Sequence, residues 1–87
     1  MPYIEQDHRP IIDAAVSILP KLMTPGELNY AITRVIDQHL SYTGITYSNL
    51  NQMIGIIECV KLELYRRVAA PYEDKKIQEN GDVYHAQ

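Results

Sequence analysis

The sequence predicts an all-α fold, a small bundle of three to four helices in which the third helix is long and kinked. Apolar residues recur at three- and four-residue steps through most of the chain, which is the periodicity of a helix. Turn-forming residues at Pro20, Gly44 and Pro71 separate the periodic segments. At 87 residues the chain forms one helical domain, 1–87, and is too short for a barrel enzyme or a complete dinucleotide-binding fold.

The first helix is predicted over residues 8–22. Asp7 precedes it as a candidate cap, and Pro10 stands in its first turn, where a missing N–H costs nothing. Pro20 is expected to end or kink this helix, because a proline cannot donate a hydrogen bond within it. The residues of its predicted apolar face are Ile11, Ala14, Ala15, Ile18, Leu19 and Leu22.

The second helix is predicted over residues 25–41, and its start carries the strongest local signal in the chain. Thr24 and Glu27 have the spacing of a capping box, in which each side chain accepts a hydrogen bond from the other residue's backbone N–H. Pro25 occupies the first helical position, which it favours. The predicted apolar face consists of Leu28, Ala31, Ile32, Val35, Ile36 and Leu40.

The third helix is predicted over residues 47–70, with Thr46 or Ser48 as its cap, and it carries two apolar surfaces. One stripe contains Leu50, Met53, Ile54, Ile57, Val60 or Lys61, Leu64 and Val68, and the other contains Ile56, Cys59 and Leu62. Either the other helices or another chain must cover both surfaces. Because a core this small needs additional stabilisation, we expect a homo-oligomer. Gly55 in mid-helix predicts a close approach of another helix.

Pro71 is expected to interrupt the third helix, and a short fourth helix is predicted over residues 71–79. Acidic residues early and lysines later in this segment suit the helix dipole. The pair Asn80-Gly81 reads as its end. The tail, residues 82–87, is expected to be flexible.

Charge and cysteine content exclude several classes of protein. A net charge of −3 argues against a general nucleic-acid binder, so we expect no duplex as a partner. The single cysteine, Cys59, excludes an intrachain disulfide and a zinc finger, and its apolar neighbours predict that it is buried. The polar N-terminus predicts no signal peptide, and the short apolar runs predict no membrane span. These features favour a reducing cytoplasm.

Catalytic and metal-binding patterns are not evident in the sequence. The three histidines, His8, His39 and His85, are far apart, and no His-Glu-x-x-His pair is present. The chain has no nucleophile elbow and no glycine-rich phosphate loop. We therefore predict a protein that is not an enzyme and that uses no metal and no cofactor.

One stretch, residues 61–76, is locally positive. It contains five of the eight basic residues and three acidic ones, so its net charge is +2 and the remaining chain carries −5. Arginine and lysine bind phosphate, and tyrosine rings can stack on a base. The candidate ligand-binding residues are Arg66, Arg67, Lys75, Lys76, Tyr65, Tyr72 and Tyr84. In the alternative interpretation, the arginines pair with nearby carboxylates and the lysines form a solvated helix end. Those carboxylates are Glu63, Glu73 and Asp74.

Four motifs together resemble a family of short uncharacterised proteins from tailed bacteriophages and prophages. They are TPGELNY at residues 24–30, IGIIECVKLELYRRV at 54–68, PYEDK at 71–75 and ENGDVY at 79–84. The resemblance covers nearly the whole chain. It implies the cytoplasm of an infected host bacterium as the setting, and it supplies no established function or site residue.

Two functional hypotheses follow. In the first, the protein is a non-enzymatic anti-defence sponge that sequesters a small anionic nucleotide immune signal, such as a cyclic oligonucleotide or a cyclic ADP-ribose-type molecule. The phage setting implied by the resemblance and the positive stretch together favour it. In the alternative, the protein acts through its apolar helix faces as an adaptor or inhibitor of a host enzyme, or as a small phage assembly protein. Neither hypothesis involves a membrane.

Overall fold

The computed structural model describes residues 1–86, in which every regular element is helical and no strand is present. The chain is 74% helical, which confirms the prediction of an all-α fold. It divides into two compact units. The N-terminal unit contains residues 2–54, and the C-terminal unit begins at Gly55 and also includes Met1. None of the described helices is long and apolar enough to cross a membrane.

The first helix, α1, covers Pro10–Ser17 and follows a 3-10 turn at Gln6–His8. Pro10 stands in the first turn of α1, as predicted. Asp7 does not cap the helix, which was a wrong prediction, because the cap position falls at Arg9 and carries no side-chain cap. The Arg9 guanidinium instead donates to the carbonyl oxygen of Ile4, at 2.8 and 3.0 Å.

The end of α1 lies five residues before the predicted one, so the range 8–22 is corrected to Pro10–Ser17. The backbone N–H groups of Ile18 and Leu19 donate to carbonyl oxygens three residues earlier, which tightens the last turn. Leu19 precedes Pro20, and a residue in that position is disfavoured in the helical region. Helix α1 therefore ends before the chain reaches Pro20.

The second helix, α2, covers Pro25–Thr43 and begins with the predicted capping box. The Thr24 backbone N–H donates to Glu27 Oε1 at 2.9 Å, and the Glu27 N–H donates to Thr24 Oγ1 at 3.1 Å. Helix α2 ends at Gly44, whose φ of 96° lies in a region that favours glycine.

The third helical run extends over 34 residues, Tyr47 to Asn80, and confirms the prediction of a long third helix. It consists of α3 (Tyr47–Leu64), a π-helical turn (Tyr65–Ala69) and α4 (Ala70–Asn80). Thr46 caps α3, since its hydroxyl accepts the Asn49 N–H at 3.1 Å.

We expected Pro71 to interrupt this run, but it does not. The helix widens into the π turn instead. Pro71 has no N–H to offer the Arg67 carbonyl four residues earlier, and its ring crowds that carbonyl. In the π turn the Ala70 N–H donates to the carbonyl oxygen of Tyr65, five residues earlier. The wider turn accommodates the proline while the helix continues. Helix α4 ends at Asn80, and Gly81 is its C-cap. Residues 82–86 of the predicted tail carry no helix. Gln87, the last residue of that tail, lies outside the described residues.

Burial is sparse throughout the described residues. Among residues 1–86, Met53 is the only buried apolar residue, with 8% of its surface exposed. Cys59, which we expected to be buried, is exposed, because no described helix of its own unit packs against α3. A Cβ atom added at Gly55 would meet no described atom within 4 Å, so the close helix approach that we predicted there does not occur within residues 1–86.

The amount of exposed surface is large for the mass of the chain. The accessible area is 8219 Å² for 10.0 kDa. A folded monomer of this mass exposes about 5200 Å², and two separately folded units of the same combined mass expose about 6300 Å². The chain therefore exposes about 1900 Å² more than its two units would if each covered its own apolar faces.

Candidate functional site

The predicted ligand-binding residues all belong to the C-terminal unit, and all are exposed. Tyr65, Arg66 and Arg67 lie in the π-helical turn, and Tyr72, Lys75 and Lys76 lie on α4. Tyr84 follows the end of α4. The π turn thus contains the most basic part of the predicted site, and π turns occur frequently at functional sites.

In the locally positive stretch, residues 61–76, three of the five basic residues form ion pairs with a glutamate three positions away. The pairs are Arg66 with Glu63 at 3.1 Å, Lys76 with Glu79 at 3.1 Å, and Lys61 with Glu58 at 3.3 Å. The first is a pairing that the alternative interpretation predicts. Counted with the glutamates at both ends, residues 58–79 contain five basic and five acidic residues, so the segment is neutral. Exposed pairs of this kind contribute about 0–1 kcal/mol and hold the side chains weakly.

Arg67 and Lys75 make no hydrogen bond and no ion pair within residues 1–86. They are therefore the two cations of the predicted site that an anion can reach without displacing a carboxylate. Lys76, in addition to its ion pair, places its ammonium nitrogen 5.5 Å from the centre of the Tyr72 ring. This cation–π contact occupies one face of the ring that the nucleotide hypothesis assigns to stacking.

The Tyr65 hydroxyl is engaged within the same unit. A hydrogen bond to the Glu73 carboxylate raises the pKa of Tyr65 above its ordinary value of 10.0, and the negative charges of Glu73 and Asp74 act in the same direction. A hydroxyl that donates to a carboxylate is poorly placed to bind a phosphate, so Tyr65 could offer a ligand only its exposed ring.

A shallow groove of about 340 Å³ lies where α4 ends, and it brings Lys76 and Tyr84 together. The carboxylates of Glu73 and Asp82 also line it. Two carboxylates against one ammonium group repel an anion. The other predicted ligand-binding residues do not line this groove.

A larger concave surface than this groove lies in the N-terminal unit, between α1 and α2. One part, of about 610 Å³, is lined from α1 and the residues after it by Ile11, Ile12, Ala15, Val16 and Leu19, and from α2 by Val35, Gln38, His39, Tyr42 and Thr43. Aspartate, glutamate, lysine and arginine are absent from this lining. Its charge-free, largely apolar composition is typical of a protein-binding groove.

A second part, of about 560 Å³, continues the same surface and shares Leu19, Val35 and Gln38 with the first. Its lining adds Tyr30, Ala31 and Met23, together with one acidic and one basic residue, Glu27 and Arg34. We call the two parts together the α1–α2 groove.

Sequence reasoning missed this groove because it gave the first helix a single apolar face. Ile12 and Val16 lie outside the predicted apolar face of the first helix, yet both line the groove. Asp13 and Ser17 are the only polar residues of α1, so the helix is apolar on most of its sides. The apolar composition of α1 was therefore the signal in the sequence that a second surface must cover this helix.

A small group of metal-ligand side chains lies near the N-terminus. Glu5, Asp7 and His8 each offer one ligand atom, and these atoms lie within 4.8 Å of one another. All three residues are exposed, and exposed acidic groups commonly bind no ion. We assign no metal to them.

Residues 1–83 match the family described as a domain of unknown function (DUF6899). The chain belongs to this family. Its description names no activity, ligand or partner, in agreement with the expectation of a family without established function. No curated protein and no solved structure is significantly similar to the chain.

Proposed function

We propose that this protein works without catalysis, by binding other proteins through the apolar faces of its helices. It acts in this proposal as an adaptor or inhibitor of a host enzyme, or as a small phage assembly protein. The observation that carries the proposal is the exposure of apolar side chains on α1, α2 and α3. Ile11 is 79% exposed, Val35 68% and Val60 60%.

Such exposure is unusual for a protein that acts alone. A soluble monomer rarely exposes a continuous apolar patch larger than a few hundred Å². In the C-terminal unit, Ile57, Val60 and Leu64 follow one another at helical steps of three and four residues, and all are exposed. An amphipathic helix of this kind binds by laying its apolar side in a groove of the partner.

The setting belongs to the same proposal. The resemblance to tailed-phage proteins supports the cytoplasm of an infected host bacterium. An unpaired, exposed Cys59 is compatible with a reducing compartment, since an oxidising one favours disulfides.

A site-specific photo-crosslinker tests the proposal in infected cells. Placed at Val60, on the apolar side of α3, it should capture one defined protein; placed at Glu58, whose carboxylate faces Lys61 at the surface, it should not. The captured protein, once purified, should bind the wild-type chain and bind Val60→Glu at least tenfold more weakly. Equal capture at both positions, or equal affinity of both chains, would contradict the proposal.

A small anionic nucleotide is the second candidate partner, favoured by Arg67 in the π turn and Lys75 on α4, the two cations of the predicted site that have no ion-pair partner within residues 1–86. In this case the protein sequesters a cyclic oligonucleotide or a cyclic ADP-ribose-type signal without cleaving it. Thermal unfolding with a panel of these compounds tests it, because a ligand at 100 times its Kd adds about 2.7 kcal/mol of stability. Arg67→Ala should abolish the shift and Lys21→Ala should not. No shift with any compound rejects this candidate.

A further inference from the structure

We infer that the α1–α2 groove is a homodimer interface, which a second copy of the chain covers with its own α1–α2 groove. Four helices, two from each copy, then enclose one shared apolar core. The inference rests on the proposed function, since it names the partner for one part of the same exposed apolar surface.

Helix α1 requires cover on more than one side. It is eight residues long, and isolated helices shorter than about 12–15 residues are marginal in water. Its side chains are apolar except for Asp13 and Ser17, and a helix with this composition is stable when it is buried on most sides. Helix α2 lines one side of the groove, yet Ile11 and Val16 remain exposed. A further helical surface is needed.

The area that the whole chain leaves exposed is of the size that an obligate dimer buries. The chain exposes about 1900 Å² more than its two units would if each covered its own apolar faces. Obligate homodimers bury roughly 2000–5000 Å² in total, or about 1000–2500 Å² on each partner. Exposed apolar side chains of the C-terminal unit contribute to the same excess, so the groove accounts for part of it.

The charge pattern of the groove suits a second copy. Each chain carries a net charge of −3, so two copies repel one another over most of their surface. The larger part of the groove contains no charged residue, and the smaller part contains one of each sign, Glu27 and Arg34. In a two-fold interface the same patch serves both partners. A patch that is neutral and of mixed sign meets its own copy without like-charge repulsion.

Val35 marks the centre of this interface, because it lines both parts of the groove. It is exposed in the single chain, so a substitution there removes little from the chain's own core. Thr33, two residues away on α2, is exposed and lines neither part, which makes it a matched control. Val35→Glu and Thr33→Glu add the same charge to the same helix.

Sedimentation velocity of the purified full chain tests the inference. We expect the wild type and Thr33→Glu to sediment at twice the mass of 10.0 kDa. Val35→Glu should sediment as a monomer, and the milder Val35→Ala, which retains the helix, should dimerise at least tenfold more weakly than Thr33→Ala. A wild type that is monomeric at all concentrations, or a dimer that Val35→Glu leaves intact, would overturn the inference.

These outcomes separate the inference from the proposed function. A monomer that still crosslinks through Val60 removes the dimer and leaves the adaptor function standing. A dimer that loses stability with Val35→Glu, but captures no protein through Val60, supports the interface and rejects the adaptor function.

Discussion

Thr24 and Glu27 show how two residues determine where a helix begins. Four N–H groups at a helix start have no partner within the helix. The Thr24 hydroxyl accepts one of them, from Glu27, and the Glu27 carboxylate accepts the Thr24 N–H. The hydrogen bond from the Thr24 backbone N–H, and after it one from the Thr24 side chain, stabilise the charged carboxylate and lower the pKa of Glu27 below its ordinary value of 4.5.

Removing the cap should destabilise α2. Thr24→Ala eliminates the hydroxyl that accepts the Glu27 N–H, and the loss of such a cap costs about 1 kcal/mol. Chemical unfolding followed by circular dichroism measures the effect. Thr24→Ser retains the hydroxyl and serves as the control. Equal stability of Thr24→Ala and the wild type would show that the box contributes nothing.

The lowered pKa of Glu27 predicts a dependence of stability on pH. The folded-state pKa lies below the unfolded one, so the contribution of this group is complete above the unfolded pKa and is lost as the pH falls through the folded pKa. Glu27→Gln can still accept the Thr24 N–H but does not titrate there. Unfolding measured from neutral to acid pH should therefore show a smaller loss in Glu27→Gln than in the wild type; identical profiles would contradict the prediction.

At the scale of the elements, helix starts were more predictable than helix ends. The capping box, the Thr46 cap and Pro10 in a first turn are local chemistry, legible within four residues. The end of α1 depends on how the backbone tightens before Pro20. A proline at that position is compatible with a helix that ends at any of several preceding residues. The π turn depends on Pro71 remaining inside a helix that continues on both sides, and no local pattern distinguishes this from a break.

The π turn yields a prediction of its own. Pro71→Ala restores an N–H that can reach the Arg67 carbonyl, and it removes the ring that crowds this carbonyl. We expect the helix to continue without the wide turn and the free energy of unfolding to rise, by up to about 3 kcal/mol. Urea unfolding measures it. A loss of stability would mean that interactions made only by the π turn outweigh the cost of the proline.

In the candidate ligand site, the net charge of residues 61–76 overstates the positive charge that is free of ion pairs. Residues 61–76 carry a net charge of +2, but two of the cations pair with glutamates just outside that window, Glu58 and Glu79. The three-residue spacing of each pair was legible in the sequence. The hydrogen bond of Tyr65 to Glu73 was not, because it spans eight residues across a turn of unusual pitch.

At the scale of the whole molecule, periodicity identified which residues need cover but not what covers them. The apolar faces of the first two predicted helices could have covered each other completely. In the described residues they leave an open groove, and apolar side chains remain exposed in both units. The homo-oligomer expected from the third helix is therefore proposed for a different surface, the α1–α2 groove.

Hydrogen–deuterium exchange of the α1 amides, at high and at low protein concentration, tests the central claim most directly. If a second copy covers α1, its amides are protected in the concentrated protein and lose this protection on dilution, because folding of the short helix is coupled to association. The Thr46-capped start of α3, which lies outside the groove, serves as the internal reference. Rapid exchange of the α1 amides at every concentration would contradict the claim, since α1 would then have no covering partner in a second copy.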